Sequence, residues 1–132
     1  MKDPIDAAAD GQVDSISPSQ LLPVEPDGIP VELREYPQWV GWALEDRDGR
    51  VTKVPYDPRT GKRSSPTNQT TWSTFDDAWG RYEASETYSG IGFVFSETDP
   101  FVGIDLDKCR DPNSDVIAPW AIKIVRDFAT YT

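Results

Sequence analysis

Gln38-Trp39-Val40-Gly41-Trp42-Ala43-Leu44, then Glu45-Asp46-Arg47-Asp48-Gly49-Arg50, then Val51-Thr52-Lys53-Val54-Pro55-Tyr56: this run decides the fold. Its first part is apolar and aromatic and reads as a strand. The middle is a charged cluster holding an Asp-Gly pair, the strongest short-range signal for a hairpin turn. The last part is a second short strand. Together they predict a β-hairpin. Trp39 and Trp42 stand at i and i+3, so they fall on opposite faces of the first strand and at least one of them enters the core.

Downstream, Asp57-Pro58-Arg59-Thr60-Gly61-Lys62 is a turn and residues 61–70 form a polar loop. A helix follows, with Thr74 as N-cap and Asp77 three residues on as the capping-box partner. Phe75, Trp79 and Tyr82 give it one apolar face, and Gly90 closes the segment. Gly92-Phe93-Val94-Phe95, the turn Ser96-Glu97-Thr98-Asp99-Pro100, and Phe101-Val102-Gly103-Ile104-Asp105-Leu106-Asp107 predict a second hairpin. Asp111–Ser114 is another loop. A last helix starts near Pro119, a favoured first-turn residue, with Trp120, Ile124, Val125 and Phe128 on one face. Trp72, Trp79 and Trp120 read as core.

Upstream, Pro30-Val31-Glu32-Leu33 opens a short helical turn. Residues 1–28 have one basic residue, six acids and no aromatic, which predicts a disordered acidic tail before a folded part over 29–132. The order ββ-α-ββ-α indicates an α+β fold: a mixed or antiparallel sheet with two hairpins and two main helices.

The chain has 132 residues, 23 Asp+Glu, 13 Lys+Arg and no His, for a formal charge of −10. Its single cysteine, Cys109, excludes an internal disulfide and a Cys-rich zinc site. Without His, Ser-His and Cys-His catalysis are excluded, and any metal must sit on oxygen ligands, which suit Mg²⁺, Mn²⁺ or Ca²⁺. No apolar run approaches the roughly 18–20 residues of a membrane span, and the N-terminus has no signal-peptide pattern. A cytoplasmic protein is expected. Asp outnumbers Glu 16 to 7 and Lys is scarce, at 5 against 8 Arg. Taken alone, that acidity argues against nucleic-acid binding. It also fits a halophilic protein, whose acidic, Lys-poor surface stays hydrated at high salt.

Two features could carry chemistry. On a strand, Asp105 and Asp107 would share one face, roughly 6–7 Å apart at Cα. Two carboxylates that close repel unless a cation sits between them, and a divalent metal would do so. The alternative is solvated surface at a strand end. The second feature is basic: Lys53, Arg59, Lys62 and Arg63 fall within residues 53–63, with Tyr56 and Trp72 nearby. They could hold a nucleic-acid backbone or a nucleotide triphosphate, or simply balance neighbouring acids.

The motifs Pro37–Trp42, Lys53–Gly61, Thr71–Phe75, Gly90–Phe95 and Val102–Asp107, in that order, resemble the N-terminal part of the primase-polymerase domain. This domain belongs to the archaeo-eukaryotic primase superfamily and is common in phages, plasmids and other mobile genetic elements. The resemblance implies a partial primase-polymerase catalytic domain in DNA replication. Asp105 and Asp107 match the family's first motif, which supplies catalytic, metal-binding carboxylates for Mg²⁺ or Mn²⁺. Lys53, Arg59, Lys62 and Arg63 would bind nucleotide or nucleic acid. The implied partners are a DNA template and nucleoside triphosphates, with a second chain or a C-terminal helicase region as further candidates and no membrane. The family's second motif carries a His, absent here, and its third acid normally lies beyond the last helix. A fragment inactive alone is therefore expected. The other reading is a stand-alone module that binds nucleic acid or a replication protein without catalysis.

Overall fold

The structure is a computed structural model and describes residues 21–128. It is α+β. A three-stranded antiparallel sheet runs in the order β2-β1-β3, with β1 at Trp39–Arg47, β2 at Arg50–Tyr56 and β3 at Gly90–Phe93. Three α-helices accompany it among the described residues: α1 at Val31–Arg34, α2 at Phe75–Ala84 and α3 at Pro119–Phe128.

The expected hairpin forms and is tighter than the charged cluster suggested. β1 and β2 pair from Gly41↔Tyr56 to Arg47↔Arg50, leaving Asp48 and Gly49 as the turn. Both have positive φ, 55° and 80°, as the right-handed twist of a two-residue hairpin requires. The Asp46 carboxylate accepts the Gly49 N–H at 2.9 Å.

Alternation along β1 sends Trp39, Gly41, Ala43, Glu45 and Arg47 to one face and Val40, Trp42 and Leu44 to the other. The Trp39 face is the core. Trp39 is 3% exposed and meets Phe75 and Phe93 edge-on, at centroid distances of 5.1 and 5.3 Å. Its indole N–H donates to the Leu33 carbonyl at 3.0 Å, which ties α1 to the sheet. Ala78 of α2 is fully buried, and Ile29, Leu33, Trp79, Ile91 and Phe93 complete the cluster. Gly41 is required by close approach: a Cβ there would lie 2.2 Å from the Tyr88 ring. On the opposite face a Cβ on Gly90 would strike the Trp42 indole at 2.6 Å.

Helix α2 starts as expected. The Thr74 hydroxyl accepts the Asp77 N–H at 3.1 Å. The helix ends at Ala84, and Gly90 opens β3 instead of closing the helix. α3 begins at Pro119 as read, but its buried residue is Ala121, while Trp120 is 48% and Phe128 61% exposed. Trp120 is therefore not core, because α2 is the helix laid against β1 and β3.

The second hairpin does not form. β3 pairs with β1, from Trp39↔Phe93 to Trp42↔Gly90, and residues 101–107 carry no strand. A strand needs a backbone partner and cover for its apolar side chains. Here Val102 is 85% and Ile104 49% exposed. Of the tail expected over 1–28, residues 1–20 lie outside the described residues. Residues 26–28 form a 3₁₀ turn, and the Val24 N–H donates to the Tyr82 hydroxyl at 3.2 Å.

Candidate functional site

The acidic pair lies on an irregular segment held at both ends. At its start the Asp99 carboxylate gathers three donors: the Ser96 N–H at 2.7 Å, the Gln38 side-chain amide at 2.8 Å and the Phe101 N–H at 2.8 Å. The Gln38 hydrogen bond first, then the two amides, hold the Asp99 carboxyl below the usual carboxylate range. Phe101 packs edge-on against Tyr36 and Phe93. At the far end Cys109 is 8% exposed, its thiol donates to the Leu106 carbonyl, and its own carbonyl accepts the Ala118 N–H at 2.6 Å.

Between these anchors Asp105 and Asp107 are both exposed and Leu106 is half buried. The segment carries no strand, and both carboxylates lie at the surface. Gly103 does permit a close approach, to the Phe95 ring, where a Cβ would sit at 2.7 Å. The donor type suits a hard divalent cation. Among the described residues, however, no three Asp, Glu, Cys or His side chains converge into a metal-binding group.

Of the four basic residues grouped by sequence, Lys53 and Arg63 border one cavity, while Arg59 is engaged elsewhere. Arg59 is committed to Asp57. The Arg59 N–H and Nε donate to Asp57 Oδ1 at 2.9 and 3.2 Å, and Nη2 donates to Oδ2 at 3.0 Å and to the Thr70 carbonyl at 2.7 Å. The Asp57 side chain is 6% exposed. Burial pushes its carboxyl up, but the Arg59 guanidinium and the Arg59 and Thr60 amides outweigh that and hold it below the usual range. Lys53 sits with its ammonium 4.3 Å from the Trp42 ring centre, on the sheet face opposite the core. Lys62 is exposed, and its main chain closes the loop by accepting the Asp57 N–H at 2.8 Å. Arg63 reaches Glu45 at 3.3 Å.

Sequence reading missed two participants. Asp57 looked like a turn residue, and its burial depends on the loop folding back over β2. Arg47 was placed in the turn cluster, yet it ends β1 beside a cavity of about 220 Å³ that Thr52, Val54, Arg63 and Ser64 also line. Its position opposite Arg50 across the Asp-Gly turn was the available signal.

No protein-family model matches the chain. Over 103 residues it is 41% identical to a DNA primase-polymerase of Nitratiruptor phage NrS-1. The match takes in 76% of this chain and 13% of that protein, so the chain spans about an eighth of its relative's length. Over about three quarters of its length this chain is thus similar to part of a phage DNA primase-polymerase.

Proposed function

We propose that this chain contributes to a template-directed nucleotidyl transfer on DNA. One observation carries the reading: the 41% identity to a primase-polymerase, in a chain that presents Ile104-Asp105-Leu106-Asp107 on a segment anchored at both ends. In this role Asp105 and Asp107 hold Mg²⁺ or Mn²⁺. Such an ion would supply positive charge to offset the charge of phosphate oxygens during nucleotidyl transfer. The chain's own residues supply the carboxylates and fix where the segment starts and ends. Lys53, Arg59, Lys62 and Arg63 serve different ends: Arg59 shapes the loop through Asp57, while Arg63 and Lys62 are exposed for contact with phosphate. DNA and nucleoside triphosphates are the substrates of the activity, and a further chain or helicase region is the partner. With two carboxylates and no His, the chain by itself does not catalyse, because phosphoryl transfer depends on every charged part being in place. Its charge of −10 is read as an adaptation to high salt, so its melting temperature should rise between 0.01 and 1 M KCl.

The test is an Mn²⁺ titration followed by NMR. Signals of residues 104–108 should broaden first. Asp105→Asn with Asp107→Asn should abolish that selectivity while the fold persists, since both sites are exposed. Broadening that starts elsewhere, or that the double substitution leaves unchanged, refutes the assignment of these carboxylates to metal.

A further inference from the structure

At the turn end of the hairpin the fold brings Arg63 beside Arg47, residues that the sequence sets far apart, with Glu45, Asp46 and Asp48 in the same stretch. Arg47 and Thr52 project on the same sheet face, because Glu45 pairs with Thr52 and Arg47 lies two residues on from Glu45. The chain returns past β2 after the 57–62 loop. Arg63 bridges Tyr56, and the Ser64 N–H donates to the Pro55 carbonyl at 3.0 Å. This return forms one wall of an open cavity of about 220 Å³ that Arg47, Thr52, Val54, Arg63 and Ser64 border. Lys53 and Pro55 line it as well, so two arginines, a lysine and two hydroxyl-bearing residues border it, in a chain whose formal charge is −10.

One carboxylate competes there, Glu45, at 3.3 Å from Arg63. The pair is solvent-accessible, with side chains 28% and 58% exposed, and exposed pairs contribute only about 0–1 kcal/mol. Arg63 can therefore exchange Glu45 for a stronger acceptor. Arg59, bound to a buried carboxylate, cannot. Guanidiniums suit a phosphate because their fork of N–H donors matches its oxygens.

We infer that this cavity seats one phosphodiester group of a single-stranded nucleic acid, with Arg47 and Arg63 on its oxygens. Size separates the two sources of phosphate. Pockets that enclose a small ligand run to about 300–1,000 Å³, so this one takes a phosphate and leaves sugar and base outside. Such a contact positions a strand without reading its sequence. The inference deepens the proposed role of the basic stretch and rests on that reading only for nucleic acid as the phosphate source. It adds Arg47 and removes Arg59.

The test titrates the full chain against a labelled single-stranded oligodeoxynucleotide across a range of salt concentrations. The variants are Arg47→Gln, Arg63→Gln, both together, Arg47→Lys, and Lys123→Gln as a charge-matched substitution outside the cavity. The double variant should bind roughly tenfold more weakly, and its dependence of log K on log salt should become shallower by about 0.7, one single-strand phosphate. Arg47→Lys should fall between, and Lys123→Gln should match the parent. Thermal melting of each variant separates lost binding from lost folding. If the strand binds and the double variant keeps the parent affinity and slope, the cavity is not the site, while the nucleic-acid reading stands. If the parent does not bind the strand, both fail, and the Mn²⁺ titration still reports independently on Asp105 and Asp107. A third arm uses deoxyadenosine triphosphate alone. Amide shifts at Arg47, Thr52 and Arg63 that it induces more strongly than the strand, at equal phosphate, overturn the strand assignment.

Discussion

Residues 39–43 and residues 101–104 are much alike in composition: each is an apolar run with a glycine third, Gly41 in one and Gly103 in the other. In the first run Trp39, Val40 and Ala43 are 3%, 6% and 4% exposed. In the second Val102 and Ile104 are 85% and 49% exposed. The first has strands on both sides, a helix on one face and Tyr88 seated on its glycine. The second is anchored at Phe101 and Cys109. β-propensity is a capacity to fit a half-buried pleated surface, and the surroundings decide whether it is used. The contrast also divides labour. The hairpin half supplies a rigid base, and the acidic carboxylates are displayed on the part with least cover.

This contrast can be broken most forcefully at Trp39. Trp39→Ala should cost about 3–5 kcal/mol, because it removes the edge-on contacts with Phe75 and Phe93 and leaves a cavity under α2. Denaturant unfolding would show it as a lower midpoint. Next comes Asp57→Asn, expected to cost about 1–3 kcal/mol at pH 7, since it strips the charged partner from Arg59 in a buried setting. The Asp57 carboxyl lies below its ordinary value when folded, so its contribution is fully present above about pH 4 and lost as pH falls through the folded value. The variant should therefore lose stability less steeply on acidification than the parent. Asp99 and Asp111 are shifted the same way and keep some acid sensitivity in both.

Thr74→Ala should cost about 1 kcal/mol by freeing the Asp77 N–H at the start of α2. The smallest effect belongs to the other region: Val102→Ala should fall within about 0.5 kcal/mol of the parent. A Val102→Ala cost near that of Trp39→Ala would mean that residues 101–107 pack as a strand after all, and would erase the distinction.

Local chemistry made much of the hairpin half legible. Asp48-Gly49 announces its turn because few residue pairs accept positive φ twice, and Thr74 announces its helix because a hydroxyl can accept the orphan amide. Alternation set Trp39 and Trp42 on opposite faces, and Trp39 is the one the core takes. What local chemistry could not supply was partnership. Residues 101–107 have every internal mark of a strand, but whether an edge pairs with them is decided by distant sequence. Trp120 failed likewise: a large indole at a helical spacing reads as buried, and only α3's position shows otherwise. At the candidate site the acidic pair was visible as a pattern, whereas its geometry was not. The four basic residues were visible as a cluster, but strand alternation turned Lys53 to one face and loop closure locked Arg59 to Asp57.

The two-residue turn at Asp48-Gly49 bears also on the time order in which the sheet assembles. β1 is the central strand, and its two neighbours differ in how far along the chain they must be sought. β2 begins at Arg50, directly after the turn, whereas β3 begins at Gly90, beyond a loop and the whole of α2. A hairpin closes in about 1–10 μs, and long-range pairings come later because loop-closure entropy must be met first. The β1–β2 ribbon is thus the early scaffold, and β3 arrives with α2 already attached. Damage at Asp48-Gly49 should slow folding, whereas damage at the Trp39–Phe93 seam should chiefly hasten unfolding. The same molecule would register the two lesions on opposite arms of its chevron.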